Sequence, residues 1–198
     1  MKNKQAELIK RMSSNQLKQQ VYLSQLLILV VGIVFSFIVF ESITDWVKLF
    51  EINSSQWLYY GVIPGFIVVL VDLLLMTLLP KSYLDDGGIN EKLFKNCSFV
   101  EIFVIALLVS ISEEVLFRGV VQTSFGYIPA SLLFALIHIR YLSKPILLCS
   151  IVVLSFYLGY MFEVTHNLFV TIIAHFIIDF TLALIIRFRS KGDSNVRG

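Results

Sequence analysis

The sequence predicts an all-α protein: a polytopic bundle of about six transmembrane helices, with active-site residues on three core helices. Three observations predict it. Of 198 residues, 57% are hydrophobic and only 15% charged, with a mean hydropathy of +0.82, against about 45–50% and about 25% in soluble domains. The apolar residues gather in long runs, which is the membrane signature. The few charges inside those runs cluster: Glu113, Glu114 and Arg118 in one run, His138 in the next, and His175 with Asp179 in the last.

Taken in order, residues 1–20 form a polar, basic N-terminal arm. Apolar runs follow at 21–41, 59–79, 100–123, 127–142, 145–162 and 167–188. A crossing needs about 20 residues, so the fourth and fifth runs are short. The first run begins too late and is too long for a cleaved signal, and no small-residue cleavage pattern follows it. Pro80 and Gly87-Gly88 mark 80–99 as a loop. The organisation is therefore an arm (1–20), two N-terminal helices with a cytosolic loop (21–99), a core (100–189) and a polar tail (190–198). Cys97 and Cys149 fit no metal or redox spacing and read as free thiols. The arm, the 80–99 loop, the Arg140–Lys144 turn and the C-terminal end from Arg187, all assigned to one side, hold fourteen Lys and Arg residues, against Lys48 alone on the other. The positive-inside rule then places both termini in the cytosol, and the short polar ends suit a bacterial plasma membrane. The basic C-terminal stretch is an interfacial anchor rather than a nucleic-acid patch.

Charged groups at mid-bilayer are costly and usually functional. With about 1.5 Å of rise per residue, Glu113, His138 and His175 fall within about 5 Å of one depth, somewhat nearer the outer face. Glu114 and Arg118, four apart, can pair on one helix face. Glu113 is rotated about 100° away and can face a different cavity as a general base. His175 and Asp179 are also four apart, so the aspartate can fix the histidine tautomer or hold water. Phe134 stands one turn from His138 and can wall the same cavity. Asp72 lies outside the cluster and reads as structural support, with Arg118 as one candidate partner. His166 reads as a loop residue without a catalytic role.

EEVLFRG at 113–119, FALIH at 134–138 and HFIID at 175–179 together resemble the three motifs of the CPBP intramembrane proteases. That family holds the CaaX prenyl-protein endopeptidases and the bacterial Abi proteins linked to bacteriocin processing and self-immunity. The resemblance covers about 100–183. It implies hydrolysis of a peptide bond in a membrane-associated peptide or protein, with Glu113 activating water and His138 assisting. His175 and Asp179 would bind that water or the tetrahedral oxyanion. The candidate catalytic set is thus Glu113, Glu114, His138, His175 and Asp179, with Arg118 and Phe134 in support and Glu114 serving also as Arg118's partner in the frame. His138, His175 and Glu113 offer three ligands to a divalent metal such as zinc with an open fourth position, or they hold water directly; both readings stay open. The chain is shorter than the prenyl-protease branch and has Asp179 where asparagine is common there. That departure, and a site nearer the outer face, count against CaaX substrates, and a prenylated CaaX-type C-terminus, a peptide pheromone, a leader peptide and a bacteriocin all stay open. A non-catalytic immunity or scaffold protein and a proton-coupled transporter are the competing readings. No H-E-x-x-H or G-x-S-x-G segment supports other intramembrane protease chemistry.

Overall fold

The computed structural model describes residues 11–138, 141 and 144–195. Residues 1–10 of the arm, Arg140 with most of the end of the fourth run, and the last three residues of the tail lie outside the described residues. All regular structure among the described residues is helical, and the all-α membrane bundle expected from the hydropathy pattern is what forms.

Helix α1 spans Ser14–Val39. It starts earlier than the apolar run because Ser13 and Gln16 form a capping box, the Ser13 hydroxyl accepting from the Gln16 N–H at 3.2 Å and the Ser13 N–H donating to Gln16 Oε1 at 2.7 Å. The second half of the polar arm is thereby helical. A short helix α2, Ile43–Lys48, follows, capped by Asp45, whose Oδ2 accepts from the N–H groups of Glu41 and Ser42. Lys48 and those backbone donors hold the Asp45 carboxyl below its usual range. Helix α3, Ser54–Leu78, crosses back. The connector expected as a loop over 80–99 contains two short helices instead, α4 (Lys81–Leu84) and α5 (Ile89–Phe94). Asp86 caps α5 by accepting from the N–H groups of Ile89 and Asn90, a local signal that composition alone does not reveal.

Helix α6 covers 99–125. It is α-helical over Phe99–Glu114, π-helical over Val115–Gln122 and α-helical again at Thr123–Phe125. Ser98 and Glu101 cap its start, and Gly126, at φ 93°, ends it. Helix α7, Tyr127–Ile137, has 11 residues and so is about 16 Å long, half a bilayer core of about 30 Å. The fourth run, expected over 127–142, is therefore a half-crossing that stops at His138. Helix α8, Pro145–Thr165, is a full 21 residues. It ends on His166, the single non-glycine residue at positive φ (48°) among the described residues. Helix α9, Leu168–Asn195, completes the chain. By length and apolarity α1, α3, α8 and the Leu168–Ser190 part of α9 can each cross a membrane; α6 has the length but carries the charged motif.

The packing places the site. Helices α1 and α6 run parallel, joined by Lys18–Glu101 (2.7 Å) near their starts and Gln25–Glu113 (2.9 Å) further along. Helix α9 runs antiparallel to α6, with Phe99 against Phe180 and Phe103 against Phe176, both pairs 5.2 Å apart. Helices α3 and α9 run parallel at close range, because Gly61 and Gly65 face Val170 and Ala174. Helices α7 and α8 meet at Gly159.

A Cβ on Gly159 would lie 2.8 Å from Ser131 Oγ and 2.9 Å from Tyr127 Cε2. The tyrosine ring cannot swing away freely, since its hydroxyl donates to the Phe156 carbonyl at 2.8 Å. Gly159→Ala is expected to cost about 1–3 kcal/mol by overpacking, read as a lowered melting temperature in detergent. Gly119→Ala, whose Cβ meets its nearest neighbour at an ordinary 3.4 Å, is expected to melt close to wild type.

Candidate active site

The charged motif sits where α6 changes from α- to π-helix. Such π segments are rare and recur at functional sites. Glu113 and Glu114 are the last two regular residues before it, and they face different neighbours. Glu114 is fully buried. Its Oε1 accepts from Arg118 Nη1 at 3.2 Å and from His175 Nδ1 at 2.8 Å. Glu113 is 5% exposed, and its Oε1 accepts from Gln25 Nε2 of α1 at 2.9 Å.

Arg118 is also fully buried. Beyond Glu114 it donates through Nη2 to the Ser155 carbonyl of α8 at 2.8 Å, and its guanidinium lies 4.4 Å from the centroid of Phe134. One side chain thus ties α6, α8 and α7 together. Phe134, 1% exposed, is the wall they share. Its ring centroid is 4.9 Å from that of His138 and 6.1 Å from that of His175, and Phe117 packs edge-on against it at 5.2 Å.

The hydrogen bonds settle which histidine nitrogens are free. A carbonyl can only accept, so His138 Nδ1, 2.8 Å from the Phe134 oxygen, carries a proton. In the neutral ring Nε2 is then the unprotonated acceptor. The half-buried His138 caps α7 and presents that nitrogen at the end of the half-helix. His175 is 3% exposed and donates through Nδ1 to Glu114, leaving Nε2 3.6 Å from Asp179 Oδ2. The Asp179 side chain is 35% exposed, so the cluster is closed around Glu114 and open around Asp179. Asp179 lies one turn further along α9, toward the end that packs beside the start of α6.

The structure therefore brings Glu114, Arg118, His175, Asp179, Phe134 and His138 into one connected group, with Glu113 adjoining it through the chain. The pair expected from spacing, Glu114 with Arg118, forms. Glu114 has a second partner, His175, that spacing within a helix could not show. Asp72 is not the partner of Arg118 and makes no ion pair or hydrogen bond among the described residues. Gln25 and Ser112 were missed by reading the charged residues alone. The one available signal was a polar residue, Gln25, inside the first apolar run.

Among the described residues no group of three or more His, Cys, Asp and Glu side chains is arranged to hold an ion. His175 Nδ1, His138 Nδ1 and Glu113 Oε1 are each engaged by protein partners, which leaves His138 Nε2, His175 Nε2 and Glu113 Oε2 as the remaining donor atoms. As placed, these side chains do not converge as a three-ligand metal site among the described residues.

Removing one partner of a buried ion pair leaves the other charge uncompensated, at about 3–5 kcal/mol. Arg118→Ala is expected to destabilise by that amount, measured by thermal melting of the detergent-solubilised protein. Arg118→Lys is expected to recover only part of it, because an ammonium lacks the planar fork that reaches Glu114 and the Ser155 carbonyl together.

Comparison with known proteins agrees with this arrangement. The model for the type II CAAX prenyl endopeptidase Rce1-like family matches residues 95–181, the segment that carries all three motifs. An uncharacterized protein, YpbD of Bacillus subtilis (strain 168), is 44% identical over 178 residues, covering 88% of this chain and 94% of its own length. No solved structure matches the chain. The chain is an integral membrane protein and belongs to the Rce1-like family of CAAX prenyl endopeptidases, a branch of the CPBP proteins.

Proposed function

We propose that this protein is an intramembrane endopeptidase that cleaves a membrane-associated peptide or protein, with Glu113 as general base. The observation that carries the reading is a polar cluster in which His138, His175 and Arg118 contact the Phe134 ring, Glu114 joins His175 to Arg118, and Glu113 adjoins Glu114 in the chain. Two histidines are oriented by hydrogen bonds through Nδ1, so that both Nε2 atoms are turned away from their anchors. One carboxylate, Glu114, is consumed in orienting His175 and Arg118, while its neighbour Glu113 retains an oxygen with no protein hydrogen bond among the described residues.

The chemistry follows from these groups. Glu113 Oε2 takes a proton from water, with His138 Nε2 as a second acceptor that orients it. The water oxygen bonds to the substrate carbonyl carbon, and the carbonyl electron pair moves to its oxygen. That oxyanion is the natural ligand of His175 Nε2 when it too carries a proton, with Asp179 beside it. On collapse the C–N bond breaks, and the proton held by Glu113 passes to the leaving amine. The products are a carboxylic acid, which passes its proton to the amine to give a carboxylate and an ammonium, and Glu113 is regenerated.

The family points to a CaaX-type substrate, and the side on which the site opens supports this. Asp179, where the cluster is open, lies toward the end of α9 that carries Arg187 and Arg189 and packs beside the start of α6, where Lys18 of α1 pairs with Glu101. The positive-inside rule makes that side cytosolic, where prenylated C-termini are found.

The test uses the protein in liposomes with a quenched fluorogenic peptide bearing a farnesylated cysteine followed by three residues, beside the same peptide without the farnesyl group. Glu113→Gln and His138→Ala are each expected to lower kcat about 10²–10⁴-fold, with expression and melting unchanged. Dialysis against a chelator is expected to leave the wild-type rate intact. Comparing membrane peptidomes of cells carrying wild type and Glu113→Gln identifies other substrates if neither peptide is cut. Full cleavage by either variant overturns the mechanism, and a biological role surviving both variants favours a scaffold.

A further inference from the structure

Glu113 does not hold its own position. From the reading of Glu113 as the base, we infer that Gln25, on the first transmembrane helix and outside the segment matched by the family, is the residue that positions it. The geometry is specific. Gln25 is 8% exposed and both ends of its amide are used. Nε2 donates to Glu113 Oε1 at 2.9 Å, and Oε1 accepts from the Ser112 hydroxyl at 2.6 Å. Ser112 itself is fully buried, and the single proton of its hydroxyl is shared between Gln25 Oε1 and the Leu108 carbonyl one turn back, 2.6 Å away. The chain of contacts therefore runs from the α6 backbone through Ser112 and Gln25 to one oxygen of Glu113.

Two consequences follow for the reaction. With Oε1 committed to Gln25, the rotation of the carboxylate is fixed and Oε2 alone is left for water. A base misplaced by about 1 Å can cost on the order of 10² in rate. The second concerns the choice of side chain. A lysine or arginine at this position would form an ion pair with Glu113 and withdraw it from proton transfer. A primary amide is neutral and offers a donor at one end and an acceptor at the other. It therefore orients Glu113 without neutralising it. The adjacent Glu114 is the contrast, since its guanidinium partner makes it a frame and not a base.

The first helix is fixed to α6 independently. Lys18 bonds Glu101 at 2.7 Å, and Gly32 lies against Leu116 closely enough that a Cβ would sit 3.3 Å from its Cα. These contacts bracket Gln25 and hold the two helices together without it. Positioning and packing can therefore be separated by substitution.

The experiment measures kcat and KM with the fluorogenic peptide for five variants in liposomes. Gln25→Leu is expected to lower kcat about 10–100-fold with KM within about twofold of wild type. Gln25→His, which restores an N–H at similar reach, is expected to recover most of that loss. Ser112→Ala, which frees the far end of the amide, is expected to lower kcat several-fold. Lys18→Met, which loosens the same helix pair away from the site, is expected to leave both constants unchanged. A wild-type kcat in Gln25→Leu overturns the inference. So does a Gln25→His variant no better than Gln25→Leu, because a merely structural role would not respond to a restored donor. If Gln25→Leu does not fold, Ser112→Ala decides, and an unchanged kcat there overturns it. Glu113→Gln is the fifth variant: cleavage by it refutes the proposed function, whereas its inactivity beside a fully active Gln25→Leu refutes only the role of Gln25.

Discussion

The bundle is organised around one carboxylate that has no access to water. In a hydrocarbon medium a buried charge persists only where protein groups replace its hydration. Glu114 does so by accepting from Arg118 and His175 on a single oxygen. Because Arg118 in turn reaches the Ser155 carbonyl and covers the Phe134 ring, satisfying one charge fixes the mutual placement of α6, α7, α8 and α9. Apolar packing alone discriminates poorly between helix registers in lipid, since lipid tails are as apolar as leucine. A short polar network sets the register that the apolar surfaces leave undefined.

The same constraint explains how much was legible in the sequence. Within one helix, geometry is known in advance, so the pairing of Glu114 with Arg118 and the rotation of Glu113 away from it followed from spacing. The near-common depth of Glu113, His138 and His175 followed from counting residues. Contacts between helices were not available in that way. The bond from His175 to Glu114 and the hold of Gln25 on Glu113 join residues 61 and 88 positions apart, and no local pattern encodes them. The fourth run failed for another reason. Its apolar residues continue to the length of a short crossing, yet the helix stops at His138, where the ring turns back to the carbonyl of Phe134. Hydropathy reads the medium a segment sits in and not where its helix ends.

The half-length of α7 matters for the site. A helix that crossed completely would carry His138 in its middle, with both flanking turns blocking approach. Ending there instead places the imidazole at a helix terminus, partly exposed. The π-helical stretch of α6 acts similarly, because its altered winding turns Arg118 and Gln122 toward α8, where both donate to backbone carbonyls. Irregular backbone at membrane depth is tolerated where protein lines it, and here both irregularities flank the same polar cluster.

Adjacent glutamates with opposite fates are the clearest expression of this design. The 100° between them sends Glu114 into a pocket of donors and Glu113 toward a neutral amide. The difference lies in the partner rather than in the residue. A guanidinium partner fixes a carboxylate in the ionised state and removes it from chemistry, whereas an amide fixes its direction and leaves its charge to react. Exchanging those partners would exchange the roles. The first helix, which carries none of the three motifs, therefore bears on the motif glutamate, because it supplies the neutral amide of Gln25 that holds one oxygen of Glu113.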